Sequence, residues 1–350
     1  MNSTLFIVVL TLLLALVFFW SCRNLPKERW QMLAAVPIRR LSGGQWQALN
    51  LTFYGFFISG SIAVSLIVLC ILLGAAEISV KGGIAAALLI LGICIPSARI
   101  IAYWVEGKRH TFTVGGASFL GIVLAPWAIL FINQMPIIEG YFRLPVVPVL
   151  AAMSISYCLG EGLGRLACIS FGCCYGKALK DCHPITRGIF NKISFIFDGP
   201  TKKTVYAGKL AEEPLLPVQA ITSVILMATS VLGCTFFLEG EYRMALLISS
   251  SASQIWRIYS ETLRADFRGP GQFTTYQRLT LPAIFYIFCA SYFFDSGFIL
   301  IPDLARGLEV VWHPGIILTI QLVWLVSFLY FGCSTVTCAT ISFLLKNEHV

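Results

Sequence analysis

Apolar residues in this chain come in nine long runs separated by short polar breaks, at 5–20, 51–73, 84–105, 112–132, 146–169, 215–238, 244–259, 279–301 and 310–331. A helix needs about 20 apolar residues to cross the hydrocarbon of a bilayer, and most of these runs reach that length. Lipid offers no water to backbone N–H and C=O groups, so helices are the structure the runs predict. The expected fold is all-α: a polytopic transmembrane helix bundle of eight or nine helices with one extramembrane cap. The run at 5–20 is short enough to be the core of a signal peptide. Residues 1–4 carry no basic charge, however, and Phe19-Trp20-Ser21-Cys22 is bulky for a cleavage site, so the run predicts an uncleaved anchor. No repeat of fixed period is present in the sequence.

Composition agrees: 57% hydrophobic and 12% charged residues, with a mean hydropathy of +0.82, exclude a water-soluble globule. The 25 Lys and Arg against 17 Asp and Glu leave a charge of +8. In such a chain this surplus fits anionic lipid headgroups and loop orientation, and no basic tract interleaved with aromatics points to nucleic acid. Two connections exceed linker length. Residues 23–50 carry Arg23, Lys27, Arg29, Arg39 and Arg40 around Trp30 and Leu33, which suits either a segment lying along the headgroups or an ordinary basic loop. Residues 172–214 hold seven Lys or Arg and four Asp or Glu, and form the expected cap. The chain thus divides into an N-terminal anchor with a basic interfacial segment (1–50), a membrane domain carrying the cap (51–301) and an additional C-terminal helix and tail (302–350).

Three arginines, Arg99, Arg165 and Arg257, fall inside or at the ends of apolar runs. At the bilayer centre each costs about 2.5 to 3.5 kcal/mol, so they require a bound anion, an internal acid or a water-filled cavity. Glu161 lies four residues before Arg165 and Glu261 four after Arg257, so each pair can meet on one helix face. Arg264 and Arg268 extend the second stripe. Either these are self-neutralised pairs with arginines snorkelling to the interface, or the surplus of Arg257, Arg264 and Arg268 over Glu261 and Asp266 binds a phosphate. Guanidinium suits that role, because its planar fork donates two parallel hydrogen bonds and keeps its proton in a low-dielectric site.

Certain motifs add a family likeness. The stretch Gly164-Arg165-Leu166-Ala167-Cys168-Ile169-Ser170-Phe171-Gly172-Cys173-Cys174-Tyr175-Gly176 resembles the signature of bacterial prolipoprotein diacylglyceryl transferases, in the branch reading GR-x-x-C-x-x-x-G-C-C-Y-G. Trp256 to Arg264 resembles the family's later arginine, glutamate, arginine stretch, and Gln277 to Pro282 its Q-x-L-x-x-P. Gly115-Gly116-Ala117-Ser118-Phe119 is similar to its GG-x-S-F loop, Tyr54-Gly55 to its first-helix pair and Pro217-Val218-Gln219 to its P-x-Q.

The resemblance, spanning roughly residues 54–301, implies transfer of a diacylglyceryl group from phosphatidylglycerol, or a similar anionic phospholipid, to the lipobox cysteine thiol of a prolipoprotein signal peptide. Glycerol phosphate is released, no cofactor takes part, and the setting is a bacterial plasma (inner) membrane. It assigns Arg165 and Arg257 as the catalytic pair and Glu261 as the residue orienting Arg257. Tyr54, Cys168, Gln219, Glu261 and Arg264 become substrate-binding positions, and Gln277 a further polar one.

The departures are specific. The family's thiol-activating histidine is Leu120 here, its tyrosine before the second arginine is Ser253, its asparagine after the first is Cys168, and its histidine before P-x-Q is Leu216. Ile221 and Thr222 replace the tyrosine and glutamate that follow. His110 and His183 are either substitute bases or ordinary loop histidines. A lipid-modifying enzyme with another headgroup or acceptor is the alternative of the same class. A small-anion transporter is the alternative of a different class, although the two related halves such folds show are absent from the sequence.

Cys168, Cys173, Cys174, Cys182 and His183 crowd one region. Adjacent Cys173 and Cys174 make awkward joint ligands and no second C-x-x-C pair is present, so the expectation is structural pairing or small-residue packing rather than a metal. Orientation draws opposite answers from two arguments. Alternating the runs puts 18 Lys and Arg of the connections on the side of the cap and 4 on the other, which by the positive-inside rule makes the cap cytoplasmic. The family resemblance implies a cap facing outward.

Overall fold

The computed structural model describes residues 2–106, 114–135, 144–266, 274–294 and 301–342. Among the described residues each apolar run carries a helix. In order these are α1 (Ser3–Asn24), α2 (Phe53–Ala75), α3 (Val80–Glu106), α4 (Val114–Ile132) and α5 (Val146–Phe171), then, after the short cap helices α6 (Pro184–Phe190) and α7 (Lys203–Tyr206), α8 (Val218–Leu238), α9 (Tyr242–Leu263), α10 (Thr275–Phe293), α11 (Leu304–Trp312) and α12 (Pro314–Gly332). Seven of them, α1 to α5, α8 and α12, are long and apolar enough to cross a membrane, and the chain is a polytopic helical membrane protein. The run at 310–331 is not one helix. It breaks at His313, whose ring Nδ1 accepts from the Gly315 N–H at 3.2 Å and so caps α12, with Pro314 preset at the first helical position.

Helix α5 is the axis of the bundle, packed against α2, α8 and α9, and it is the most buried of the spanning helices. Helix α9 matches the spanning helices in length but is inverted. Its buried face is polar, with Ser249, Ser250, Ser253, Gln254 and Ser260, while Met244, Ile255 and Tyr259 point outward. That arrangement suits lipid as the solvent: apolar groups face the tails and polar ones find partners inside. Where α2 crosses α12, a Cβ on Gly55 would come within 2.0 Å of the Gly332 Cα, so no side chain fits at that crossing.

The bundle also carries a sheet that the apolar pattern did not announce. The basic segment, open to a place along the headgroups or to an ordinary loop, carries a hairpin of β1 (Met32–Arg40) and β2 (Gln45–Thr52). Its turn passes through Gly43 and Gly44 at φ of +82° and +78°, values that glycine adopts without strain. Strand β3 (Cys333–Ser342) then joins β2 antiparallel, from Gln45 opposite Ser342 to Leu51 opposite Cys333. Strands from the N-terminal 52 residues and from 333–342 are therefore joined in one sheet.

The cap is fastened to the N-terminal segment by polar contacts. Gln31 donates to the Thr201 carbonyl at 2.9 Å, and Thr201 donates back to the Gln31 side chain at 2.7 Å. Lys202 is fully buried, its Nζ donating to the carbonyls of Leu25 at 2.9 Å and Ser170 at 2.6 Å. Burial pushes this amine down to about 7, against the pull of Glu28 and Asp198. One side chain thus ties the end of α1, the end of α5 and the cap.

Candidate functional site

Tyr157, Glu161 and Arg165 follow one another at four-residue spacing and so lie on one face of α5. Glu161 collects three donors. Arg165 Nη2 binds its Oε1, while Tyr157 Oη at 2.5 Å and Arg257 Nη2 at 3.0 Å bind its Oε2. Arg257, from α9, also donates to Tyr157 Oη at 2.8 Å. Two guanidiniums from separate helices therefore converge on one carboxylate, with side chains no more than 15% exposed. A buried acid between two cations suits such a place, since each charge would be costly without the others. The Nε of each arginine is buried with no hydrogen-bond partner among the described residues.

Arg264 is positioned by the signature. Helix α5 ends at Gly172, in the left-handed region at φ +71°, with its N–H bonded to the Cys168 carbonyl at 2.9 Å. The following turn lies antiparallel to the end of α9: Lys177 N donates to Leu263 O and Ala265 N to Tyr175 O, both at 3.1 Å. Gly176 is required there, since a Cβ would stand 2.4 Å from the Leu216 carbonyl oxygen. Arg264 then binds Asp266 through two bonds of 2.7 Å, with Glu261 at 3.8 Å.

Arg165, Cys174, Gln219, Thr222, Ser260 and Arg264 surround a cavity of about 10 Å³, room for a single water. Gln219 donates through Nε2 to the Cys173 carbonyl at 2.9 Å, and its Oε1 is buried without a partner. Tyr54 sits beside this group, edge-on to Phe171 at 5.8 Å and within electrostatic reach of Arg165 and the three signature thiols. Arg165, Cys168, Tyr54, Gln219 and Arg264 are thus brought together, with Arg257 on the far side of Glu161.

Other expectations fall differently. Glu161 rather than Glu261 accepts the hydrogen bond of Arg257, and Glu261 instead lies 3.8 Å from Arg264, which stands in extended backbone after α9 ends at Leu263. The expected surplus of cation rests on Arg268, outside the described residues. Among the described residues Arg165, Arg257 and Arg264 face Glu161, Glu261 and Asp266, a group neutral in sum. Arg268 and His110 lie outside the described residues. Arg99 donates to Tyr330 Oη on α12, apart from the Glu161 network. Gln277 closes a capping box with Thr274 at the start of α10, and exposed His183 caps α6. Cys168, Cys173 and Cys174 gather their sulfurs within 4.8 Å of one another, which adjacent cysteines did not promise.

Sequence reasoning passed over Tyr157. Its signal was its place four residues before Glu161, and it brings to Arg257 the phenol that Ser253 cannot supply. Ser253 itself donates to the Ser250 carbonyl, and Gln254 donates to Ser118 at 3.2 Å. Ser118 of the double-glycine motif accordingly lies at the same helix junction, and Leu120 follows two residues later on α4. No protein-family model, curated protein or solved structure shows significant similarity to the chain.

Proposed function

We propose that this chain is a membrane transferase that draws an anionic phospholipid, phosphatidylglycerol or a close relative, to Arg165 and Arg257, and passes its diacylglyceryl group to the lipobox thiol of a prolipoprotein. The setting inferred is a bacterial plasma membrane. One observation carries the reading: two guanidiniums from different helices aim at a single acceptor, each with an unused buried Nε. Glu161 holds each guanidinium through one Nη2, leaving each Nε for a phosphate oxygen, so the donors are already oriented when charge develops on the departing glycerol phosphate. Because the adjoining cavity holds only a water, the headgroup enters as the Arg264–Asp266 pair opens. Arg264 then becomes the third donor.

Leu120 at the position of the family's base favours a second reading, in which lipid and fold are kept and the acceptor differs. Both are tested by supplying the purified chain with labelled phosphatidylglycerol and either a lipobox peptide or small thiol and hydroxyl acceptors. Complementation of a strain depleted of its own transferase is the cellular counterpart. Label on the peptide cysteine, lost in Arg165→Lys and Arg257→Lys, supports the first reading; label on another acceptor alone supports the second. No transfer from phosphatidylglycerol to any acceptor refutes both.

A further inference from the structure

The sulfurs of Cys168, Cys173 and Cys174 all lie within 4.8 Å of one another at the end of α5. Two backbone features gather them. The Cys173 N–H bonds the Cys168 carbonyl at 3.1 Å, folding the chain back over the last helical turn. Cys174 adopts φ +55°, a left-handed conformation unusual for a residue with a Cβ, and this breaks the alternation that would send neighbouring side chains to opposite sides. Strain of this kind persists where the surroundings impose it, and it clusters at functional sites. Gln219 fixes the loop from below through the Cys173 carbonyl.

We propose that these three cysteines form a thiolate site for zinc whose fourth position opens toward the arginine cavity. Zinc takes sulfur at about 2.3 Å in tetrahedral geometry, which sets sulfurs about 3.8 Å apart, so the trio closes on an ion with shifts of about 1 Å or less. Three thiolates and Zn²⁺ sum to one negative charge, and the cationic side chains of Arg165 and Arg264 line the same cavity as Cys174. A zinc with three protein ligands keeps one place for a reactant; Cys174 lines the cavity, which has room for one water and widens for a reactant only as the Arg264–Asp266 pair opens.

The use of that place rests on the function proposed above. An acceptor thiol binds the zinc as thiolate and releases its proton to solvent, the task that Leu120 cannot perform. Its sulfur attacks the glyceryl carbon of the lipid, the C–S bond forms, the C–O bond to phosphate breaks, and the electron pair leaves on glycerol phosphate beside the arginines. The zinc remains bound and unchanged in oxidation state.

The test uses the full chain purified in detergent under mild reducing conditions. Elemental analysis should find stoichiometric zinc, lost to background in Cys168→Ser, Cys173→Ser and Cys174→Ser and retained in Cys182→Ser. Should those variants fail to fold, titration of the wild-type chain with p-hydroxymercuribenzoate should release its zinc as three thiols are consumed. Cobalt-exchanged protein should show sulfur-to-cobalt charge-transfer bands, and N-acetylcysteine amide should perturb its visible bands if the fourth place is open. Arg165→Lys should keep its zinc while losing lipid transfer, so failure of the lipid reading leaves the metal result standing. Absence of zinc from the wild-type chain, copper in its place, a disulfide among the three sulfurs, or retention of metal in all three variants overturns the site. Cobalt bands indifferent to the added thiol overturn its role toward the acceptor.

Discussion

Two buried cations in this protein are handled in opposite ways. Arg257, between α5 and α9, meets a carboxylate and a phenol, so its charge has a counter-charge and its geometry is fixed by Glu161 and Tyr157. Lys202, in the cap, donates to the carbonyls of Leu25 and Ser170, with no ion pair among the described residues, and burial presses it toward its neutral form against the pull of Glu28 and Asp198. The first arrangement keeps a permanent charge inside the bundle, as a site for a developing anion needs. The second needs hydrogen bonds and bulk more than charge, as a latch does. A guanidinium retains its proton where an amine surrenders it, which is why arginine stands at one place and lysine can serve at the other.

Glu161→Gln should give the largest effect. It leaves two guanidiniums buried without a counter-charge and should destabilise the bundle by about 3–5 kcal/mol, read as lowered thermal unfolding in detergent. An unchanged melt would mean that water already reaches the arginines. Arg257→Lys keeps the charge but removes the fork, and should cut transfer about 10²–10³-fold with little loss of fold, as measured by labelled lipid turnover. Next comes Lys202→Met, which preserves bulk while leaving two carbonyls unpaired, at about 1–3 kcal/mol for each that stays dry. It should expose the 23–31 segment and the cap to limited proteolysis together, and loss of only one of the two would break the latch assignment.

A further effect distinguishes the two cations by pH. Unfolded, Lys202 holds its proton to about 10.5; folded, it releases it near 7. Between those values the unfolded state binds more protons, so the contribution of Lys202 to stability rises with pH through that window, and the penalty for burying its charge is complete below about 7. Thermal unfolding of the wild-type chain compared with Lys202→Met should show a pH-dependent difference there, and a flat difference would contradict the burial argument. Tyr330→Phe, which removes the partner of exposed Arg99, should change the melting free energy by less than about 1 kcal/mol.

The bundle was legible because lipid imposes a length and an apolar composition on each crossing, and the Glu161–Arg165 pair because helical spacing is local. What escaped depended on distant partners. The link from Glu161 to Arg257 joins residues 96 apart in sequence, and the neighbouring Glu261 gave a nearer but mistaken partner. Strand β3 read as part of the C-terminal helix and tail, since its pairing with β2 lies nearly 300 residues away and β1 carries basic residues suited equally to a loop. Lys202 looked like one more cap charge; nothing local marks it as buried. Cys173 and Cys174 seemed unable to face one point, and only the left-handed backbone at Cys174 reverses that.

Native mass spectrometry of the chain released from mixed micelles tests the central claim most directly. The account predicts that the wild-type chain retains phosphatidylglycerol in preference to zwitterionic phosphatidylcholine of equal chain length, and that Arg165→Lys and Arg257→Lys each abolish the preference while Arg99→Lys keeps it. Equal retention of the two lipids by the wild-type chain, or an undiminished preference in both site variants, would contradict it.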